Sequence, residues 1–332
     1  DRLRLNGGEH PFELHYWSAD SGLARFRLFW KGRDFAKESI AAKSLAHFPT
    51  GKTAGFLKNS SLLRQGRFLF ASHGCVRCHL PDEPFNKKTA MPEALAMGPS
   101  LVGVGSRLSK AWMGKWILDP QSIRHNARMP KMVNSRTETL HLVAFLSSLK
   151  NENAEKNIVP GDSKSGGVLF ADLGCISCHT LSENDTIDEN GRISLVGAGR
   201  KYLPGRLAAF LIEPDKHYPW IRMPNFRLSK GEAANLAAFL QDLESPALNI
   251  TTSMGDAGKG KLLASTRGCA ACHELPCENK LITTSLSKLS ALSGEGCLGE
   301  SSKGPRFPFS IEERSAIAIF LKERDGSLER HS

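Results

Sequence analysis

Three runs in this chain set two cysteines three residues apart with a histidine directly after them: Cys75-Val76-Arg77-Cys78-His79, Cys175-Ile176-Ser177-Cys178-His179 and Cys269-Ala270-Ala271-Cys272-His273. In 332 residues holding eight cysteines and eleven histidines, chance supplies roughly 0.006 such runs. The spacing puts the two thiols about one helical turn apart, and the next residue can carry an imidazole beneath a flat ring. C-x-x-C-H is the attachment signature of c-type haem, in which the thiols add to vinyl groups and the histidine ligates the iron. Three covalently bound haems c are therefore expected, with thioethers from Cys75, Cys78, Cys175, Cys178, Cys269 and Cys272 and iron ligation by His79, His179 and His273. Structural zinc is the rival chemistry. It needs a second pair of soft ligands for each cysteine pair, and only Cys277 and Cys297 remain for three sites.

These sites need elements to hold them, and the sequence repeats those elements with a period of 94 to 100 residues, Cys75 to Cys175 to Cys269. A glycine stands nine residues before each first cysteine (Gly66, Gly166, Gly260), inside a short helical pattern. Each unit closes with apolar residues at helical spacing, over 137–149, 230–243 and 311–322, with the phrases Ala144-Phe145-Leu146, Ala238-Phe239-Leu240 and Ile319-Phe320-Leu321. A small residue on the opening helix lets the closing helix cross closely, and the aromatic packs at the crossing. Polar stretches at 150–157 and 244–258 read as linkers. The expected domains are 54–150, 160–247 and a shortened 254–326. Residues 1–48 differ. Phe12 to Trp17 and Leu23 to Trp30 alternate and are rich in aromatics, with Ser18 to Gly22 as a turn between them, which predicts a β-hairpin. Two strands alone are not stable, so this ribbon must lean on something.

The order of opening helix, CxxCH, distal-ligand loop and closing helix resembles the class I cytochrome c family over about residues 54–326. The resemblance implies a mainly α fold of three tandem class I cytochrome c-like modules preceded by a short β-hairpin segment. It also implies a methionine thioether as sixth iron ligand. Arg128-Met129-Pro130 follows His79 by fifty residues and Arg222-Met223-Pro224 follows His179 by forty-four. Met129 is therefore expected to complete the iron on His79, and Met223 the iron on His179. His125 and His217 compete with them. The phrase Phe12 to Gly32 resembles the closing strands of a PA14-like β-sandwich, but the carbohydrate binding known in that family does not carry over to so short a piece.

The third unit breaks the pattern. Aligning Met223-Pro224 with Gly304-Pro305 puts Gly304 at the ligand position, and no methionine follows His273. Three readings stay open there: a Cys277–Cys297 disulfide worth about 3 kcal/mol through loop closure, Cys297 as an anionic iron ligand of low potential, with Lys303 a weaker candidate, or an open iron.

No stretch of about 18 apolar residues crosses a membrane. The formal charge is +10, and three haems with ionised propionates would bring it to about +7 to +4. That balance suits an acidic redox partner protein, and the scattered lysines and arginines give no nucleic-acid stripe. Thioether attachment implies a periplasmic or secreted location. The expected function is electron transfer by a trihaem c-type cytochrome. The alternative is an enzyme resembling dihaem peroxidases or thiosulfate dehydrogenases with chemistry at the third haem, for which Glu295, Glu300 and Arg306 are the nearby acid–base groups.

Overall fold

The computed structural model describes residues 8–17, 28–33, 37–40, 45–46, 51–80, 82, 98–125, 127–151, 158–182, 192–218, 221–243, 255–289, 296–299 and 304–323. The protein is mainly helical: α1 (Gly51–Ser72), α2 (Lys110–Leu118), α3 (Arg136–Ser148), α4 (Ser163–Asp172), α5 (Ala198–Lys201), α6 (Arg206–Ile212), α7 (Lys230–Asp242), α8 (Ala257–Thr266), α9 (Cys269–Cys272) and α10 (Ile311–Glu323). Strand β1 (Phe29–Trp30) pairs antiparallel with β2 (Glu38–Ser39), and β3 (His179–Thr180) pairs parallel with β4 (Ile193–Ser194). The chain divides into two compact units, Asp1–Phe56 and Leu57–Ser332.

In the first unit a ribbon forms, but not the expected one. Phe12 to Trp17 carries no strand, and Trp17 is 82% exposed. Phe29 and Trp30 pair forwards instead, Phe29 with Ser39 and Trp30 with Glu38, and Ile40 N–H donates to Leu28 O at 3.0 Å. The Lys37 ammonium lies 5.1 Å from the centre of the Phe29 ring, which favours this pairing by a cation–π contact across it. The proposed turn, Ser18 to Gly22, lies outside the described residues.

The second unit is built from three helix pairs, and each pair crosses at a glycine. A Cβ on Gly166 of α4 would run into the Asn235 carbonyl of α7 and stand 2.8 Å from Phe239 Cβ. A Cβ on Gly260 of α8 meets His141 in α3 and stands 2.7 Å from Phe145 Cβ. A Cβ on Gly66 of α1 meets Ala316 in α10 and stands 2.9 Å from Phe320 Cβ. The crossing chemistry is that read from sequence, but the partners are not. Only α4 and α7 come from one period of the repeat.

The result is a nested chain. An inner unit, 160–243, has its own core of Phe170, Leu207, Leu211, Leu236 and Leu240. Around it in sequence, 98–149 and 255–281 make a middle unit whose core joins Val104, Met113, Leu142 and Phe145 to Ala264. Arg267 extends this seam with an ion pair to Glu138 at 2.6 Å, and His141 Nδ1 accepts the Asp256 N–H at 2.8 Å. Outermost, 57–82 and 282–323 share Leu69, Phe70 and Val76 with Leu286, Phe309, Ile317 and Phe320. Of the boundaries 54–150, 160–247 and 254–326, only the central pair encloses one packed unit. The physical reason is that all three opening helices carry the same glycine and all three closing helices the same aromatic, so the period fixes the crossing but not the pairing.

Gly66→Val is expected to cost roughly 1–3 kcal/mol through overpacking and to raise amide exchange in α10, at the far end of the chain. Exchange in α3, the next closing helix in sequence, should stay unchanged. Gly231→Ala, where an added Cβ meets nothing within 4 Å, serves as the neutral control. Consecutive modules would give the opposite pattern of exchange.

Candidate functional site

Each CxxCH begins at a glycine in the left-handed region, with φ of 63° at Gly74, 67° at Gly174 and 82° at Gly268. L-residues with a Cβ rarely adopt this conformation. It ends the opening helix and starts a single turn: Cys78 N–H reaches Cys75 O at 3.2 Å, Cys178 N–H reaches Cys175 O at 3.2 Å, and His273 N–H reaches Cys269 O at 3.0 Å. A glycine directly before each first cysteine was therefore a legible signal that the repeat analysis passed over.

The three histidines share a second feature. Nδ1–H of His79 donates to Thr284 O at 2.8 Å, that of His179 to Ile193 O at 3.1 Å, and that of His273 to Pro99 O at 2.9 Å. A carbonyl can only accept, so each bond fixes the proton on Nδ1 and leaves the Nε2 lone pair free. Burial lowers the pKa of His179 and of His273, with Arg124 adding to the effect at His179. Both imidazoles are thus held neutral, as metal ligands are. The carbonyl for His79 comes from beyond residue 280 and that for His273 from before residue 100, in line with the nesting.

All three motifs line one cavity of about 2100 Å³. Ordinary ligand pockets occupy about 300–1,000 Å³, so this one has room for several groups. Met129, Met223, Cys297 and Gly304 also line it. Met129 belongs to the middle unit with His273: Trp116 of α2 donates its indole N–H to Met129 Sδ at 3.0 Å, and Gln121 Nε2 donates to Met129 O at 3.1 Å. Cys269 packs against the same core. The expectation paired Met129 with His79, whereas its packing partners belong to the unit that holds His273. Met223 packs in the inner core beside Cys175, so Met223 and His179 remain together.

Gly304 and Cys297 fall to the Cys75 motif. Leu298 and Phe307 pack on the core that holds Val76 and Cys75. Burial, then Cys297, raises the Cys75 thiol pKa. Burial, then Cys272 and Cys297, pushes Cys78 up to about 11. Lys131 and Arg306 exchange backbone hydrogen bonds at 2.9 and 3.0 Å, an antiparallel bridge that ties the chain just after Met129 to the chain just after Gly304. Among the described residues, the unit with glycine in place of the loop methionine is therefore the one that contains His79, not His273. Cys277 sits on the middle core and adds to the burial that pushes Cys269 up to about 12. Cys277 and Cys297 are both free thiols, so the disulfide, one of the three open readings, is not formed.

The competitors are placed as well. His125 lines the cavity, whereas His217 contributes its carbonyl to Ser100 N–H at 3.1 Å. Arg107 on the wall gives Nη2–H to Ser100 O at 2.6 Å, but its buried Nε has no partner. Glu295, Glu300 and Lys303 lie outside the described residues. No family model matches the chain, and no curated protein or solved structure matches it either.

Just past the Cys75 motif, Asp82 accepts Ser287 N–H at 2.8 Å and Ser287 Oγ–H at 2.6 Å, joining the two ends of the outer unit. Hydrogen bonds from Ser285 and Ser287 hold its carboxyl at about 2, below the ordinary 3.8. The folded value is depressed, so the stabilisation is complete above the unfolded value and fades as pH falls towards 2. Asp82→Asn should lower the melting temperature at neutral pH, and the gap from wild type should close between pH 4 and 2. A gap that is constant with pH would mean the carboxylate charge plays no part.

Proposed function

We propose that the chain is a trihaem c-type cytochrome that carries electrons between redox proteins outside the cytoplasm. The observation that carries this reading is threefold: three CxxCH turns open on one cavity, each with its histidine held in the tautomer that leaves Nε2 free. Each of the three nested units resembles one class I cytochrome c module. His273 with Met129 and His179 with Met223 would ligate two irons, and His79 with the Cys297 thiolate the third. The six cysteines of the motifs would form the thioethers, and the buried, unpartnered Nε of Arg107 is a donor that suits a porphyrin carboxylate. Bound there, haem iron supplies one-electron chemistry between the ferric and ferrous states. The chain's own residues would fix which side chains ligate the irons. Thioether ligands raise the potential, whereas an anionic thiolate favours the ferric state and lowers it.

Attachment through thioethers supports a periplasmic or secreted location, and the residual positive charge supports an acidic redox partner. The electron-carrier reading needs only the ligands already named. The enzyme reading is favoured by one observation, Gly304 at the methionine position of the His79 unit, and it requires a labile sixth position there.

Mass spectrometry of the native protein should find three thioether-linked haems, and fewer would sink the proposal. Carbon monoxide added to the reduced protein should shift no haem, and Cys297→Ala should gain one carbon monoxide-binding haem. A shift of one haem in the wild type would instead favour the open iron and the enzyme reading.

A further inference from the structure

Two loops of the cavity wall are copies of one another. Gly103-Val104-Gly105-Ser106-Arg107 in the middle unit and Gly197-Ala198-Gly199-Arg200-Lys201 in the inner one each begin at a left-handed glycine, with φ of 64° and 81°. Each then sets a second glycine against the closing helix of its unit, Gly105 at Ser147 of α3 and Gly199 at Gln241 of α7, and each ends on a basic residue. The copies pair with each other. Leu108 and Tyr202 form an antiparallel bridge, Leu203 N–H donates to Arg107 O at 2.9 Å, and Ser109 N–H donates to Lys201 O at 2.9 Å. The seam thus places one cation from each unit at the same stretch of cavity wall.

No carboxylate on that wall answers their charge. Nine lysines and arginines line the cavity and, among the described residues, no aspartate or glutamate does. The Lys201 ammonium lies over the rings of Trp112, Tyr202 and Tyr218, at 4.9, 5.1 and 5.3 Å from their centres, faces that hold a cation in place without neutralising it. Tyr202 and Lys201 both donate to the Tyr218 oxygen, which leaves the Tyr218 proton to be given outwards. Arg107 gives Nη2–H to Ser100 O at 2.6 Å and to Val102 O at 3.3 Å, and its buried Nε–H has no partner. An orphaned buried donor carries a desolvation cost that an acceptor removes. Donors and positive charge converge on this seam from both units, and an anion with two oxygens is the acceptor that suits them.

We infer that the seam is a carboxylate site built by two units at once, in which Arg107 of the middle unit and Lys201 with Tyr218 of the inner unit hold one anion of the carboxylate class. This rests on the trihaem reading for the source of the carboxylate: the occupant is one haem propionate, held in part by the unit to which its haem does not belong. A free carboxylate is the other source of the same chemistry. In either case the anion offsets the repulsion between the two basic loops, and so fastens the middle unit to the inner one.

The test is a double-mutant cycle on the full native chain, read as the shift in urea midpoint for Arg107→Gln, Lys201→Gln and the two together. An anion shared by both residues is lost with either, so the double variant should shift by clearly less than the sum of the single shifts, close to the larger of them. A double shift equal to the sum, or greater than it as for two cations that only repel, would overturn the site. Lys164→Gln, at an exposed lysine of α4, replaces Lys201→Gln in a control cycle that should be additive. If Arg107→Gln does not fold, Arg107→Lys, which keeps the charge and removes the Nε–H, takes its place under the same criterion. The source is read from the wild type in sodium acetate against sodium chloride at equal ionic strength. A resident propionate leaves the midpoint the same in both salts, which is the expected result. A free carboxylate would raise it saturably in acetate, with the rise absent in Lys201→Gln, and would replace the propionate as occupant. The haem count by mass on the same samples is a separate readout. Fewer than three haems with a less-than-additive cycle would end the trihaem reading and keep the site, and three haems with an additive cycle would do the reverse.

Discussion

The second unit depends on one kind of contact, the approach of an opening helix to the backbone of a closing helix at Gly66, Gly166 or Gly260. At that distance any side chain would collide with a carbonyl and with the Cβ of the aromatic one turn on. Removing the side chain lets the two helices touch by backbone, and the aromatic then fills the space at the crossing, with Phe70 against Phe320 at 5.2 Å and Phe170 against Phe239 at 5.4 Å between ring centres. Dispersion across so close a seam is collectively large although each atom pair contributes little. The crossing sets where the helix must end, the glycine before each motif ends it, and the cysteines and histidine follow in one turn. Position and chemistry of every site therefore trace back to the same close contact.

Because the contact is the same three times, it carries no label of its own. What distinguishes the pairs lies outside the crossing. Arg267 finds Glu138, and Asp256 finds His141, so α8 is matched to α3. Asp82 finds Ser287, and Leu80 O accepts Leu286 N–H at 3.0 Å, so the Cys75 motif is matched to the C-terminal segment. Asp162 N–H is held by Asn235 Oδ1 at 2.8 Å, matching α4 to α7. Shared cores give the stability, and these few directional bonds select the partners, a division of labour between non-directional burial and specific polar contacts.

Much of this was legible in the sequence. The helices over 136–148, 230–242 and 311–323 stand within a residue of their apolar patterns, and the crossing glycines were named from composition and spacing alone. Periodicity could not tell which opening helix meets which closing helix, since a repeat reports similarity and not adjacency. That single ambiguity hid that Met129 packs in the unit that holds His273, by Trp116, and that the chain around Cys297 and Gly304 packs in the unit that holds the first motif. The carbonyls of Pro99, Ile193 and Thr284 were invisible for a different reason: a backbone acceptor leaves no trace in residue type. In the first unit the aromatic alternation was real, but two short strands with nothing to cover them give sequence little leverage over register.

Nesting also decides which segments each site needs. Two chain segments that are remote in sequence close over the His79 motif, and two others close over His273, so neither site is complete until both of its own segments have been made. The inner unit, closed by neighbours in sequence, carries no such requirement. The same arrangement joins Met129-Pro130-Lys131 to Gly304-Pro305-Arg306 at Lys131 and Arg306, two copies of one loop that differ at a residue lining the cavity. Where one copy offers a thioether held by Trp116, the other offers no side chain, and Cys297, which lines the same cavity, is a thiol whose pKa burial raises. A fold that repeats its backbone so closely thus varies what lines its cavity through one residue in a loop, at no cost to the helix crossings that hold it together.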